Sequence, residues 1–473
     1  MRRNILSIFL FLTTLLMLPN VTYMATSNGI VTFTDSQLEK EIKQILKIQA
    51  DLPLTTSDLE TLKVVDLSKK EITSLEGLQY AKNITHLNLA NNHISDLSPL
   101  KDLTLIRGLN LSNNEISSLH ELAALKDLGE LIVNGNQIES LSVANNFPRL
   151  HTLEANYNKL SSIDISVVKP DLTWLKLNYN NISNIDNLAK FPKLINLELN
   201  NNQIKHLQPV RTLINLTNFY VDANQISDIS PLKNLTKMMS FTASNNNIQD
   251  IAPLKNLNNL WYLNLSRNQI SDLEPLKNLT NLGNLYLDGN RIWDLEPIQH
   301  HNKFDSHYDT GALRFALVLA DNYLDISPKS KTMKIIEKLN ADYHFQQITQ
   351  RLIIGSTTAF VGDTSYKLRN ASYLSNGRTF VPLRFVSEQL GATVHWEHKN
   401  QQVTIQKNGK TIVWKVGKKE AFINGKSVMN DVPLELKNSN TFIPVRFVSE
   451  QLGASVEYSS KKKMVIIFPE RTW

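Results

Sequence analysis

The sequence predicts a solenoid of short parallel strands, with a concave sheet, a convex side of 3₁₀ and extended segments and a helical N-terminal cap, followed by a duplicated α+β domain. Three observations predict it. A 22-residue pattern recurs eleven times from Leu62 to residue 303 without one insertion. A second unit is written twice at an offset of sixty-two residues between 348 and 473. The chain has no cysteine, so stability must come from a large apolar core rather than disulfides.

The first element, residues 1–27, has the layout of a cleavable secretory signal. Arg2 and Arg3 precede the largely apolar run Ile5–Leu18, then Pro19 and small residues at Ala25–Ser27. As a helix that run spans about 21 Å, short of the roughly 30 Å of a bilayer core. No later stretch is apolar enough to cross a membrane, so the expectation is a secreted, extracellular protein or one held at the cell wall. The absence of cysteine also excludes thiolate metal sites, a Cys nucleophile and a lipoprotein thiol. The net charge of +6 is uneven: residues 346–473 carry eighteen Lys and Arg against nine Asp and Glu.

Residues 28–61 are expected to cap the solenoid. "FTDSQLEKEIKQIL" can start a helix at Thr34 or Asp35 and line Leu38, Ile42, Ile45 and Leu46 on one face. Copies then begin at 62, 84, 106 and every twenty-two residues to 282, with apolar residues at the first, fourth, sixth and eleventh places. Places three to seven alternate, as a strand does. Asn fills the ninth place in ten of the eleven copies, from Asn92 to Asn290, where its amide can satisfy turn backbone between coils. About ten residues remain for the return path, too few for an α-helix with two turns. Pro99, Pro209, Pro231, Pro253, Pro275 and Pro297 lie there and favour 3₁₀ or extended backbone. In residues 304–347, Leu317, Leu319, Asn322 and Leu324 repeat the pattern after a ten-residue insertion, and "TMKIIEKL" can close the stack.

This is a leucine-rich-repeat arc, and its acidic first helix, 22-residue coils and "SDLSPLKDL" phrasing resemble the bacterial internalin-type repeats. The resemblance implies a secreted or surface-displayed protein that binds another macromolecule, a protein or a glycan. The outward third and fifth places are where such a partner would sit. They turn aromatic and charged from the fifth coil on, as Glu154, Trp174, Lys176, Glu198, Tyr220, Tyr262 and Tyr286. Earlier coils carry Val64, His86, Asn88, Gly108 and Asn110 instead.

Residues 348–473 contain "FVPLRFVSEQLGA" at 380–392 and "FIPVRFVSEQLGA" at 442–454. Each unit reads as a hairpin, a strand, a helix and two strands. Pro382 and Pro444 can open the helices, and Gly391 and Gly453 suit their C′ positions. Arg384–Glu388 and Arg446–Glu450 have i,i+4 spacing and are expected to be exposed surface pairs. "VPLRFVSEQLGA…VHW" resembles the copper amine oxidase N-terminal-like, or stalk, domain of secreted Gram-positive proteins. In the oxidases that piece is an accessory, so the resemblance implies an envelope-associated module and no amine oxidation. Its positive charge, spread over Arg351, Lys367, Arg369, Lys407, Lys410, Lys418, Lys419 and Lys461–Lys463, suits an anionic cell-wall polymer.

No phosphate loop, nucleophile elbow or HExxH helix occurs, and nothing marks a nucleic-acid partner. "HHNKFDSHYD" gathers His300, His301 and His307 with Asp305 and Asp309, a weak metal candidate. The sequence therefore predicts a non-catalytic recognition or adhesion protein without a cofactor. The alternatives are a metal-dependent hydrolase with a site near residues 300–309 and a purely structural envelope component.

Overall fold

The computed structural model describes residues 29–302, 304, 317–344, 346–460 and 462–470. The expected secretory signal lies outside the described residues.

Twelve parallel strands form one sheet in sequence order, from Val64–Asp66 to Leu317–Val318. Neighbouring strands pair at an offset of one repeat, Val65 with Leu87 and Leu87 with Leu109. Each full strand covers the third to fifth places, while bonding between coils continues to the eighth, as in Lys69 N–H to Ala90 O at 2.9 Å. There the backbone turns left-handed, with φ of 60° at Asn91 and 55° at Tyr157. That turn shortens the strand expected over places three to seven. The convex side is built of 3₁₀ turns such as Ser98–Leu100 and Ser230–Asn234, with proline in the first positions.

The ninth-place asparagines hold the coils together. Asn114 accepts from Ile94 N–H at 3.0 Å and donates to Leu89 O in the preceding coil and Leu111 O in its own. Asn322 does the same across the insertion, bonding Ile292 N–H and Leu287 O at 2.9 Å, and so makes a twelfth coil.

Helix α1 (Ser36–Leu46) covers the first coil with Leu38 and Ile42, both fully buried. Its N-cap is Asp35. Ile45, expected on the same face, is 40% exposed in the last turn. A short helix α2 (Thr56–Glu60) follows, opened by a capping box between Thr55 and Asp58. Helix α3 (Lys331–Leu339) covers the twelfth coil with Ile335, Ile336 and Leu339.

The duplicated domain is interlocked. The strands Gln350–Ile353, Thr358–Val361 and Thr364–Lys367 of the first copy share a sheet with Ala454–Ser459 and Met464–Pro469 of the second. The strands Thr393–Glu397 and Gln402–Lys407 share another with the second copy's first three strands, Lys410–Lys415, Glu420–Ile423 and Lys426–Met429. Between them a four-stranded sheet pairs the two repeated phrases antiparallel, with Val381 opposite Ile443 and Phe380 opposite Pro444. Val381 and Ile443 are the same place in the two copies, so a pseudo-twofold axis passes between them. The phrase recurs because its two copies pack on each other. Helices α4 (Leu383–Gln389) and α5 (Val445–Gln451) each start one residue after the proline, which serves as N-cap rather than first helical residue.

Arc and duplicated domain meet in a separate apolar cluster of Trp293, Tyr323, Met464, Ile466 and Phe468. Around it Arg291 bonds Glu457 at 2.8 Å, Ser271 donates to Glu457 at 2.7 Å and Lys462 pairs with Asp294. The Arg351 guanidinium lies 4.5 Å from the Trp293 ring centre. Arg351 and Lys462, expected among the freely spread charges, are thus spent on this junction.

Candidate recognition surface

The fourth and sixth places point inward, as Leu175 and Leu177 show by their complete burial, so the third and fifth face the concave side. In the fifth column Lys176 Nζ lies 3.2 Å from Glu154 Oε1 and 3.8 Å from Glu198 Oε1. The two carboxylates also accept from Asn134 and Asn178 at 3.1 and 2.7 Å. The three charges therefore form a row across three coils, and Lys176 Nζ stands 5.1 Å from the ring centre of Trp174. Seventh-place side chains make a further ladder: Asn134, Asn156 and Asn178 each accept from the N–H of the next coil's seventh residue.

In the coil after the charge row the face becomes aromatic. Tyr220 and Tyr262 are half-buried, and the Tyr262 ring sits 5.5 Å from that of Tyr286. Burial, with Tyr286, Asp222 and Tyr220 around it, pushes the Tyr262 hydroxyl up to about 12. Burial also pushes Tyr286 up. Both remain neutral donors at ordinary pH. Tyr286, expected to face outward, is only 8% exposed. Its ring is taken up largely by packing.

Sequence reasoning missed the second place. Ile195 is 39%, Met239 54% and Trp261 41% exposed, and with Trp174 at 38% they rim the concave face with apolar surface. A Cβ on Gly283 would lie 2.4 Å from Trp261 Nε1, so glycine in the next coil makes room for that ring. The signal was present: the second place changes from Lys63, Thr85 and Arg107 to Ile195, Met239 and Trp261.

The metal candidates do not come together. His300 is exposed. His301 is 3% exposed, stacks on Phe304 at 5.6 Å and turns Nδ1 to Ile298 O, and burial pushes its pKa down. His307, Asp305 and Asp309 lie outside the described residues. Among the described residues no three His, Asp or Glu side chains are placed to hold a metal ion. Nor is any described helix long and apolar enough to cross a membrane.

Comparison with known proteins agrees with this architecture. Residues 82–124 and 262–300 match the leucine-rich repeats, and residues 335–467 match the copper amine oxidase N-terminal domain. An internalin (inlF) from Listeria monocytogenes is 28% identical, with a TM-score of 0.62, covering 68% of this chain and 93% of that one. A leucine-rich-repeat protein of Leptospira interrogans shares the fold at 22% identity and a TM-score of 0.52, covering 62% of this chain and 80% of that one. The primary amine oxidase of Klebsiella aerogenes is 31% identical over 85 residues, which are 18% of this chain and 11% of that protein. The chain thus spans about a tenth of the oxidase, within a domain that is not the catalytic one. It is an internalin-like leucine-rich-repeat protein whose arc is followed by a copper amine oxidase N-terminal domain.

Proposed function

We propose that the protein is exported, works without catalysis and binds a protein or glycan partner through the concave face of its arc, with the second domain facing the cell envelope. The observation that carries this reading is the exposed apolar rim of Trp174, Ile195, Met239 and Trp261 beside the Glu154–Lys176–Glu198 row. Large rings on a rigid sheet bury area at small entropic cost, and adjacent charges give orientation. Likeness to an internalin supports the same reading.

The test is capture from envelope and host-surface fractions by the full-length protein, repeated with Trp174→Ala/Trp261→Ala. Both rings are substantially exposed, so the fold should be retained, and an unchanged melting curve checks it. A partner lost on substitution supports the reading. A partner retained by the variant places the contact elsewhere.

A further inference from the structure

The pseudo-twofold axis of the second domain creates two equivalent clefts, one beside each repeated helix. A shift of sixty-two residues carries the wall Phe385, Trp396 and Val403 of one onto Phe447, Tyr458 and Val465 of the other. Their volumes are about 790 Å³ and about 610 Å³, within the range of small-ligand sites. Duplication gave both the same aromatic wall and the same Arg–Glu pair, Arg384–Glu388 at 3.8 Å and Arg446–Glu450 at 3.9 Å.

Their remaining charges have diverged. In the cleft beside α5, Arg378 Nε bonds Asp431 Oδ2 at 2.6 Å, and Glu457 is held by Arg291. In the cleft beside α4, the place of Asp431 is taken by Arg369 and that of Met429 by Lys367. Among the described residues neither cation has an ion-pair partner, and both are exposed. Several other positive groups of the domain are already engaged. Lys407 and Lys410 donate to Leu452 O and Gln451 O at the end of α5, at 2.8 and 2.7 Å, and Arg351 and Lys462 belong to the junction. This cleft therefore carries two free cations that its counterpart lacks, while other exposed lysines of the domain, Lys399, Lys415, Lys418, Lys419, Lys426 and Lys463, are spread over its surface.

The cleft is also lined by aromatic rings. Trp396 is half-buried, with the His398 ring edge-on at 6.0 Å, and Phe385 packs on Tyr366 at 5.8 Å. The side-chain amides of Asn370 and Gln401 stand at its margins. An aromatic face accepts the C–H face of a sugar ring, amides bond hydroxyls, and lysine and arginine take an acid group. We propose that the cleft beside α4 binds an anionic saccharide, with its acid group between Lys367 and Arg369 and a ring against Trp396. This site is independent of the concave-face reading. It replaces the diffuse attraction expected from the sequence by a defined pocket.

The test is titration of the full-length protein, followed by tryptophan fluorescence and calorimetry. The probes are trigalacturonate, a phosphorylated maltotriose, neutral maltotriose and a hexaglutamate peptide. Either anionic sugar-type probe should bind, the tighter one identifying the acid as carboxylate or phosphate, and maltotriose should not. Lys367→Gln/Arg369→Gln should weaken binding by about tenfold or more, and Trp396→Ala should weaken it as well. Lys418→Gln/Lys419→Gln, an equal loss of charge outside the cleft, should leave it unchanged. The four basic side chains are exposed and Trp396 is half-buried, and melting curves verify each variant. Equal weakening by the two double variants would reduce the interaction to net charge and overturn the proposal. So would failure of both anionic probes, indifference to Trp396→Ala, equal binding of maltotriose, or tighter binding of hexaglutamate.

Discussion

Lys169 stands at the twentieth place of its coil, where the neighbouring coils put Phe147 and Phe191. It is 1% exposed, and its ammonium donates to Phe147 O at 2.9 Å and Asn145 O at 3.3 Å. Burial, with Lys126 nearby, pushes its pKa below the usual lysine value. A base depressed in the folded state binds fewer protons there than in the unfolded chain, so stability rises with pH between the folded value and about 10.4. Wild type should therefore gain melting temperature relative to Lys169→Met as pH is raised from 8 toward 10.5. A difference that stays constant over that range would show that Lys169 is not charged against a desolvation cost. The ninth-place amides act in the opposite sense. Asn202→Ala leaves Ile182 N–H without its bond and removes donors from Leu177 O and Leu199 O, which should cost about 2–4 kcal/mol in denaturant melts. The asparagine ladder was legible because its place never shifts. Lys169 was not, because a lysine in a return path reads as solvated.

At the scale of elements, the first helix is tied to the first coil by Asp35, beside the Glu41–Lys70 ion pair at 2.7 Å. Asp35 Oδ1 caps α1 through Gln37 and Leu38 N–H, while Oδ2 accepts from Thr73 N–H at 2.7 Å and Thr73 Oγ1 at 2.9 Å. Burial alone would raise its pKa, but the bonds from Thr73, Leu38 and Ser74 together hold it below the ordinary carboxylate value. A depressed carboxyl stabilises above its unfolded pKa, and the contribution disappears as pH falls through the folded value. Asp35→Ala should cost about 2–4 kcal/mol at pH 7 and progressively less below pH 4, read as melting temperature against pH. A loss independent of pH would assign the effect to packing. Period and proline placement made the strands and 3₁₀ turns readable in advance. Helix α2 was not, because five residues are too few to show a helical period.

The whole molecule is joined by contacts that no local pattern announces. Trp293 and Tyr323 lie at the end of the arc, and Phe468 in the last described strand, yet Tyr323 and Phe468 meet edge-to-face at 4.9 Å and Tyr323 donates to Pro469 O. Both sides read as ordinary apolar residues of separate modules, so the junction was invisible before folding. The candidate surface was half-legible for a related reason: alternation identifies outward places, but only packing distinguishes an offered Trp261 from an absorbed Tyr286. Trp293→Ala/Phe468→Ala should uncouple the two parts, so that calorimetry resolves two transitions where the wild type shows more coupled melting. An unchanged thermogram would mean that the polar contacts alone carry the coupling.

The exchange of strands between the two copies also has a kinetic consequence. Coils can be laid down one after another as the chain emerges, since each bonds only to its neighbours. The duplicated domain has no such order: Gln350–Ile353 can pair at once with Thr358–Val361, but its sheet is completed only by Met464–Pro469, more than a hundred residues later. Pairing at that separation is slow compared with coil-by-coil growth. During synthesis the arc should form first while the second domain stays open until its final strand arrives. A chain stopped at residue 463 should therefore show a protease-resistant arc followed by a fully cleavable remainder. Resistance of both parts would mean that the hairpins close without their last partner.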